Sequence, residues 1–541
     1  MKIVIPEKIS PRGIEELQAQ PGWRIVTLPP SSANDGSLAR ELADADALIV
    51  RSAVKVTAAL LAAAPQLKVV GRAGVGVDNV DLEAATRHGV VVMNTPGGSA
   101  ASVAELALGM MIALARQLPR ADATTRAGQW EKKSLQGNEL LGKTLGIVGL
   151  GRIGIEVARR ARAFEMELIA HDPFVSAMAA REAGARLVEL DELLATADYI
   201  SLHLTLTPKT RNLLNDAAFA RMKQGARLIN CARGELIDEG ALYSALKSGK
   251  LAGAALDVFQ KEPPGSSDLF TLPNLIATPH IAASTHEAQE RVGYRIAEQV
   301  RDYLARGIIQ NAVNVPSVSY EEYAQLQPWL DLGRRLGAMA TQLAEGQPRE
   351  LSLRYSGELG TWHTDLVRSS VLVGMLNHVI SEKANLVNAL SLAEQRGLVL
   401  RESREENARG MAGTLALLLK TDTQELRVEG SVLHGSRPRL LSFGEADADH
   451  ITLEAPLEGN LIVLRNEDVP GVVGHVGTVL GRRSINIANF TLGRQEGPAG
   501  SGRPKGAAAL VQTDLPVPPH VLEDLKQHSA IYYARAVQLL Y

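Results

Sequence analysis

"TLGIVGLGRIGIEVARRARAF", Thr144 to Phe164, is the stretch on which the reading of this chain turns. An apolar run ends in Gly149-Leu-Gly151-Arg-Ile-Gly154, and the residues after it carry helical spacing. Three glycines so placed can be no more than a tight strand-to-helix corner. The same spacing also lets a pyrophosphate approach backbone N–H groups at a helix N-terminus. The surroundings favour the second reading. The hexad follows a buried-looking strand and opens a helix, and Asp172 ends the next apolar run, "ELIAHD". A carboxylate there can hydrogen-bond two ribose hydroxyls and repels a 2′-phosphate, so the stretch predicts NAD in preference to NADP.

Working outward, "TLGIVG", "ELIAHD", "YISLHL", "RLINCA", "GAALDVF" and "LIATPH" alternate with helical stretches. This is the form of a doubly wound dinucleotide-binding sheet. Upstream, "KIVI", "RIVTL", "ALIV", "LKVVGRAG" and "VVVMN" predict a separate parallel sheet in the same way. Between the two lies "SAASVAELALGMMIALARQL", apolar all round. It reads as one helix ending near Pro119 and buried between domains or subunits. A helix from Thr285 to about Gly307 leads out of the second series, and "NAVNVP" closes this part at Pro316. Residues 317–456 read as an α+β unit, with "EAPLEG" marking its end. The last stretch reads strand, turn, helix, strand, then a Gly/Pro/Ser-rich excursion, "RQEGPAGSGRPKG", expected as an extended hairpin loop. A helix and a final strand follow.

The chain has 541 residues, well past the ~250–300 at which a single core stops growing, so three or more domains are expected. A net charge of −3 argues against a nucleic-acid or membrane partner attracted by charge. Cys231 is the single cysteine, so neither an internal disulfide framework nor a cysteine-rich metal site is expected, and no metal is assigned. "MKIVIPEKIS" opens as a strand rather than a signal peptide. No apolar run reaches the ~18–20 residues of a membrane span. A cytoplasmic location is the simplest expectation.

Ligands of such a sheet bind beyond the carboxyl ends of its strands. Arg233 follows "RLINCA", Glu262 comes shortly after "GAALDVF", and His280 closes "LIATPH". Taken singly, these could be a surface charge, a turn residue before Pro263-Pro264 and a satisfied strand-end histidine. Jointly they match the oxidation of a 2-hydroxy acid. A cation holds the carboxylate, a neutral imidazole takes the hydroxyl proton, and a carboxylate orients the imidazole and stabilises its cation.

"NCARGELIDEGALYSALKSGKLAGAALDVFQKEPP" and "TPHIAASTHEAQ" resemble the D-isomer-specific 2-hydroxyacid dehydrogenases. "LIVRSAVKVTAALL", "LKVVGRAGVGVDNVDLEAATRHGVVVMNTPGG" and the hexad extend the resemblance over about residues 1–315. It is nearest to the branch that oxidises D-3-phosphoglycerate, the first step of the phosphorylated route to L-serine. The resemblance implies that Arg233, Glu262 and His280 are the catalytic set. It also implies NAD contacts at Gly149, Gly151, Arg152, Ile153 and Gly154 in the turn, and at Asp172 on the ribose. The backbone of Cys231 and Ala232 would line the cofactor, with Asp257 near the nicotinamide amide. Cys231 is not expected as a nucleophile, because hydride transfer has no step for one. Arg51 in "VRSAVKVT" and Arg72 in "VGRAG" become contacts to substrate phosphate or carboxylate, the alternative being two surface arginines. Relatives often carry an asparagine where this chain has Ser99, a departure that touches the detail of substrate binding.

"NEDVPGVVGHVGTVLGRRSINIANFTLGR" resembles the ACT domain, a βαββαβ module that binds amino acids at subunit interfaces. Residues 317–456 resemble, more loosely, the intervening domain of the long-form dehydrogenases. The implied effector contacts are Asn466 and Asp468 in the first loop and Asn486 in "INIA", with L-serine as the effector. The alternative is a module kept only for assembly. The expected architecture is a Rossmann-like NAD-binding domain (98–286) inserted in a flavodoxin-like substrate domain (1–97 and 287–315). An α+β intervening domain (316–456) and an ACT domain (457–541) follow, in a homo-oligomer, a dimer or tetramer. Two rivals share this fold: a glycerate or hydroxypyruvate reductase, and a nucleotide-sensing corepressor.

Overall fold

The early apolar runs form β1 (Lys2–Ile5), β2 (Arg24–Thr27), β3 (Ala47–Val50), β4 (Val69–Arg72) and β5 (Val91–Met93). The structure, a computed structural model, describes residues 1–316, 320–380, 383–406, 411–445, 451–494 and 506–539. Every residue of β3 and of β5 is buried, as expected where helices cover both faces of a parallel sheet. The five strands pair in parallel in the order β2-β1-β3-β4-β5, a flavodoxin-like winding.

The next sheet comprises β6 (Thr144–Val148), β7 (Glu167–His171), β8 (Arg186–Leu187), β9 (Tyr199–Leu202), β10 (Ala226–Asn230), β11 (Leu251–Leu256) and β12 (Leu275–Ala277). Its order is β12-β11-β10-β9-β6-β7-β8. The winding reverses between β6 and β9, which is where a Rossmann-type sheet opens its ligand crevice. β8 has no counterpart among the apolar runs, because two residues are too few to leave a pattern.

The apolar segment after Pro96 forms the helix Ala100–Arg116, and a polar helix, Leu118–Arg126, follows it at 63°. The first helix ends near Pro119, as expected, because Pro119 has no N–H to give the carbonyl of Ala115 and would clash with it. That carbonyl accepts from Asn138 N instead, at 2.9 Å. Within the chain, Ala104, Ala107 and Met111 of the first helix pack in the core of its own nucleotide sheet. Among the described residues no single helix is long and apolar enough to cross a membrane.

The helix His286–Arg306 starts on a Thr285 side-chain cap and stops at Gly307, whose φ is 72°. It returns to the first sheet, where Ile296 and Val300 share a core with Ile3, Ile49 and Val91. The chain therefore visits the first sheet twice, with the nucleotide sheet between the visits.

Beyond it, the helix Tyr320–Leu343 leads to β13 (Pro348–Gly357), β14 (Val399–Glu405), β15 (Gly413–Thr421), β16 (Glu425–Leu433), β17 (Arg437–Glu445) and β18 (Ile451–Pro456). They order as β14-β13-β15-β16-β17-β18. β13 pairs β14 in parallel, and the other neighbours pair antiparallel. The final unit is β19 (Gly459–Glu467), helix Val472–Arg482, β20 (Ile487–Arg494), β21 (Gly506–Thr513), helix Pro519–Lys526 and β22 (Ile531–Leu539), a βαββαβ order. Residues 495–505, most of the Gly/Pro/Ser-rich excursion, lie outside the described residues. One face of this sheet is covered by its own helices through Val476, Leu480 and Leu525. The other face, with Val463, Leu510 and Val537, joins the core of the preceding unit. Arg535 reinforces that junction by donating to Leu343 O at the end of the helix Tyr320–Leu343, at 3.0 Å. The Gln342 amide adds a rung to β22, bonding Gln538 N at 2.9 Å and Gln538 O at 3.0 Å.

Candidate active site

The turn after β6 uses its glycines in different ways. Gly149 has φ of 96°, and a Cβ there would sit 2.7 Å from His203 O. A Cβ at Gly154 would overlap Gly149 O, so helix and strand approach too closely for a side chain. Gly151 is the opposite case: among the described residues, none beyond its chain neighbours comes within 4 Å of its Cβ position. Space is thus left open in front of the helix Arg152–Ala163, where unpaired N–H groups and the helix dipole favour an anion. This cradle fits the pyrophosphate of NAD. Asp172 follows β7 directly, accepting from Leu150 N and Phe174 N, both at 2.9 Å, which fixes its carboxylate beside the turn. Arg152 reaches the strap between the sheets, 3.3 Å from the Cβ position of Gly97. Ile153 packs against the core of the nucleotide sheet.

Cys231 is buried, with its Sγ 3.7 Å from Met110 Sδ. Burial, helped by the charge of Asp257, pushes its thiol far up, so it stays protonated and unfit as a nucleophile. Ala232 N donates to Asn230 Oδ1 at 3.0 Å, while Asn230 Nδ2 donates to Arg233 O at 2.8 Å. The fully buried Asn230 therefore shapes the loop that carries Arg233. Sequence reasoning did not single it out, although a lone amide ending an apolar run was a usable signal.

His280 Nδ1 lies 2.7 Å from Glu262 Oε2, and Glu262 Oε1 accepts from Phe259 N at 3.1 Å. The hydrogen bond to Glu262 raises the pKa of His280 above the ordinary 6.5; burial opposes it, and the charges of Glu262 and Asp257 add to it. Burial pushes Glu262 up, but its bonds to His280 and Phe259 N–H and the nearby positive charges leave it below the usual 4.5. The carboxylate is thus ionised beside an imidazole of increased proton affinity. Asp257 is 0% exposed and accepts from Thr278 Oγ1 (2.6 Å), Ile281 N (2.8 Å) and Ala282 N (2.8 Å). Its visible work is to hold the loop of His280, a role the sequence did not suggest.

Arg233 crosses from the nucleotide sheet to the first sheet. Its Nη2 lies 2.9 Å from Asp78 Oδ2, in the loop after β4, and its Nη1 donates to Ala232 O at 2.6 Å. Arg72, at the end of β4, has its pKa lowered to about 10, chiefly by burial and then by the charge of Arg233, against Asp78 and Glu7. Arg51 donates to Lys8 O at 3.2 Å, and its charge also acts on Arg72. Three cations therefore converge across the cleft. Ser99 is buried at the start of the helix Ala100–Arg116. Among the described residues no group of three or more His, Cys, Asp or Glu is placed to hold a metal ion.

The expected effector residues do not assemble within one chain. Asn466 is buried inside β19 rather than in the loop after it, and its Nδ2 donates to Glu467 O at 2.6 Å. Strand residues whose side chains face a core are withdrawn from solvent, which corrects the loop placement. Asp468 pairs with Arg494 at 3.1 Å, and Asn486 Nδ2 donates to Asp514 Oδ2 at 2.8 Å. Through β21, Ile487 is level with Asn460 and Arg494 is level with Asn466. Asn486 thus stands at the opposite end of the sheet from Asp468.

An open nucleotide turn and an imidazole–carboxylate pair beyond the carboxyl ends of one parallel sheet belong to a known class. Residues 108–282 match the D-isomer specific 2-hydroxyacid dehydrogenase NAD binding domain. The NAD-dependent formate dehydrogenase of Staphylococcus aureus, solved with NAD, is 31% identical, covering 59% of this chain and 100% of that one, with a TM-score of 0.52. The apo D-lactate dehydrogenase of Escherichia coli is also 31% identical, covering 58% of this chain and 100% of its own, with a TM-score of 0.50. Residues 325–443 match the D-3-phosphoglycerate dehydrogenase intervening domain. The D-3-phosphoglycerate dehydrogenase of Archaeoglobus fulgidus is 40% identical over 542 residues, 100% of both chains. That of Mycobacterium tuberculosis is 41% identical over 96% of both. The chain belongs to the D-3-phosphoglycerate dehydrogenase family.

Proposed function

We propose that this protein oxidises D-3-phosphoglycerate to 3-phosphohydroxypyruvate with NAD, the opening step of phosphorylated L-serine synthesis. The observation that carries the chemistry is the 2.7 Å bond between His280 Nδ1 and Glu262. With Nδ1 held, Nε2 is the nitrogen free to take the hydroxyl proton, and ionised Glu262 stabilises the imidazolium that results. Bound NAD supplies the acceptor for the C2 hydride. Gly149, Gly151, Arg152, Ile153 and Gly154 hold its pyrophosphate side, Asp172 its ribose, and the backbone of Cys231 and Ala232 with Asp257 its nicotinamide end. Arg233 exchanges the carboxylate of Asp78 for that of the substrate, and Arg51 and Arg72 take the phosphate. Residues 1–97 with 287–315 act as the substrate domain around the NAD domain 98–286. Residues 316–456 form the intervening domain, and residues 457–541 carry regulation, in a cytoplasmic homo-oligomer, a dimer or tetramer. L-Serine binds between two copies of the last sheet, since Asp468 and Asn486 offer only half a site at each end.

The test is NADH production across phosphorylated and unphosphorylated 2-hydroxy acids. D-3-Phosphoglycerate should be strongly preferred. Equal use of glycerate would sink the phosphate assignment and favour the reductase alternative.

A further inference from the structure

Beyond β1 the chain buries a carboxylate that the reaction does not use. Glu7 is 7% exposed, and its partners are peptide N–H groups of a different loop. Oε2 accepts from Arg51 N at 2.7 Å and Val54 N at 3.3 Å, and Oε1 accepts from Ala53 N at 2.9 Å. Asn79 holds the same loop by its carbonyls, donating to Arg51 O at 3.0 Å and Val54 O at 2.8 Å. The neighbour of Asn79 is Asp78, which pairs with Arg233. A buried carboxylate is costly unless its acceptors are filled, and here they are filled by the loop that carries Arg51.

We propose that Glu7 is a positioning residue for the substrate phosphate, fixing the backbone of residues 51–54 so that Arg51 is presented to the cleft beside Arg72. The inference rests on the assignment of D-3-phosphoglycerate as substrate. Glu7 touches no reacting atom, so it governs binding rather than turnover. Glutamine keeps one acceptor but turns an NH2 toward a peptide N–H, opposing donor to donor. Charge alone gives the contrary result: removing an anion from beside a phosphate site should tighten binding. The sign of the change therefore separates positioning from bulk electrostatics.

The experiment compares wild type, Glu7→Gln and Glu7→Asp by steady-state kinetics with D-3-phosphoglycerate, by its effect on melting temperature in the absence of turnover, and by NADH titration. In Glu7→Gln we expect KM for D-3-phosphoglycerate to rise about 10–100-fold, as for lost hydrogen bonds to a charged group, with kcat within about threefold. The melting shift caused by D-3-phosphoglycerate should shrink in parallel, while NADH affinity should stay as in wild type. Glu7→Asp keeps the charge and should restore part of the loss. It also stands in if Glu7→Gln does not fold, with KM raised in the same direction by a smaller factor. An unchanged or lowered KM in a folded variant overturns the proposal, as does a fall in kcat at constant KM. A wild-type enzyme that ignores D-3-phosphoglycerate would overturn the substrate assignment instead.

Discussion

In the sheet β6–β12, residues Arg152, Asp172, Arg233, Glu262 and His280 all come to one edge although they span more than a hundred positions. In the sheet β19–β22, Asp468 and Asn486 are close in sequence yet stand at opposite edges. The difference is topological. Parallel strands all run the same way, so every carboxyl-end loop opens on the same side. Antiparallel pairing places β21 between β19 and β20, while a helix returns the chain to start β20 level with the start of β19. The loop after β19 and the loop before β20 then face away from one another. A site on the parallel sheet can be complete in one chain; a site that uses Asp468 and Asn486 together needs a second sheet.

The largest effect tests completeness of the parallel site. His280→Ala should lower kcat roughly 10²–10⁴-fold while NADH binding persists, because the loss is of proton acceptance and not of the cradle. Full turnover in that variant would remove His280 from the chemistry.

The antiparallel end is tested by ligand-linked stability. At ~100 times its Kd, L-serine should add about 2.7 kcal/mol to the wild type, seen as a rise in melting temperature. Asp468→Ala should abolish that rise and leave catalysis without serine intact. A rise that survives both Asp468→Ala and Asn486→Ala would place the effector elsewhere.

Asp172→Ala should weaken NAD by about 1.5 kcal/mol, roughly tenfold, as one charge-assisted contact is lost, and should narrow the preference over NADP. A wild type that already accepts both cofactors equally would contradict the role of Asp172.

The smallest effect is one of pH. His280 must be unprotonated to accept a proton, and its pKa is raised, so the rate of oxidation should climb with a midpoint above pH 6.5. Reduction needs the protonated ring and should favour the acid side of that midpoint. Glu262→Gln removes the main cause of the shift and should move the midpoint toward acid. The pair also bears on stability. The raised His280 contributes fully below pH 6.5 and loses its contribution as pH rises through its folded value. The lowered Glu262 contributes fully above pH 4.5 and loses it as pH falls through its own. The melting difference between wild type and Glu262→Gln should therefore be greatest between pH 4.5 and 6.5.

Local pattern sufficed for a great deal. Apolar runs marked most strands of both parallel sheets, and Thr285 and Gly307 marked the ends of a helix. The glycine hexad and the strand-end positions of Arg233, Glu262 and His280 were legible because side-chain period, backbone preference and strand-end position are local properties. The end of the helix Ala100–Arg116 was legible in Pro119, whereas the bond from Asn138 N to the vacated Ala115 carbonyl was not.

The sequence by itself determined the class of fold, the glycine turn after β6 and the placing of Arg233, Glu262 and His280 beyond strand ends of one sheet. Tertiary structure alone decided what holds them: Glu7 under the Arg51 loop, Asn230 under Arg233, Asp257 under His280, and Asp78 across the cleft. It also decided that Asp468 and Asn486 stand apart. A run of apolar residues carries its own record of burial, whereas a polar side chain acquires its role only from partners that other elements bring to it, and those meetings are set by sheet order and strand direction.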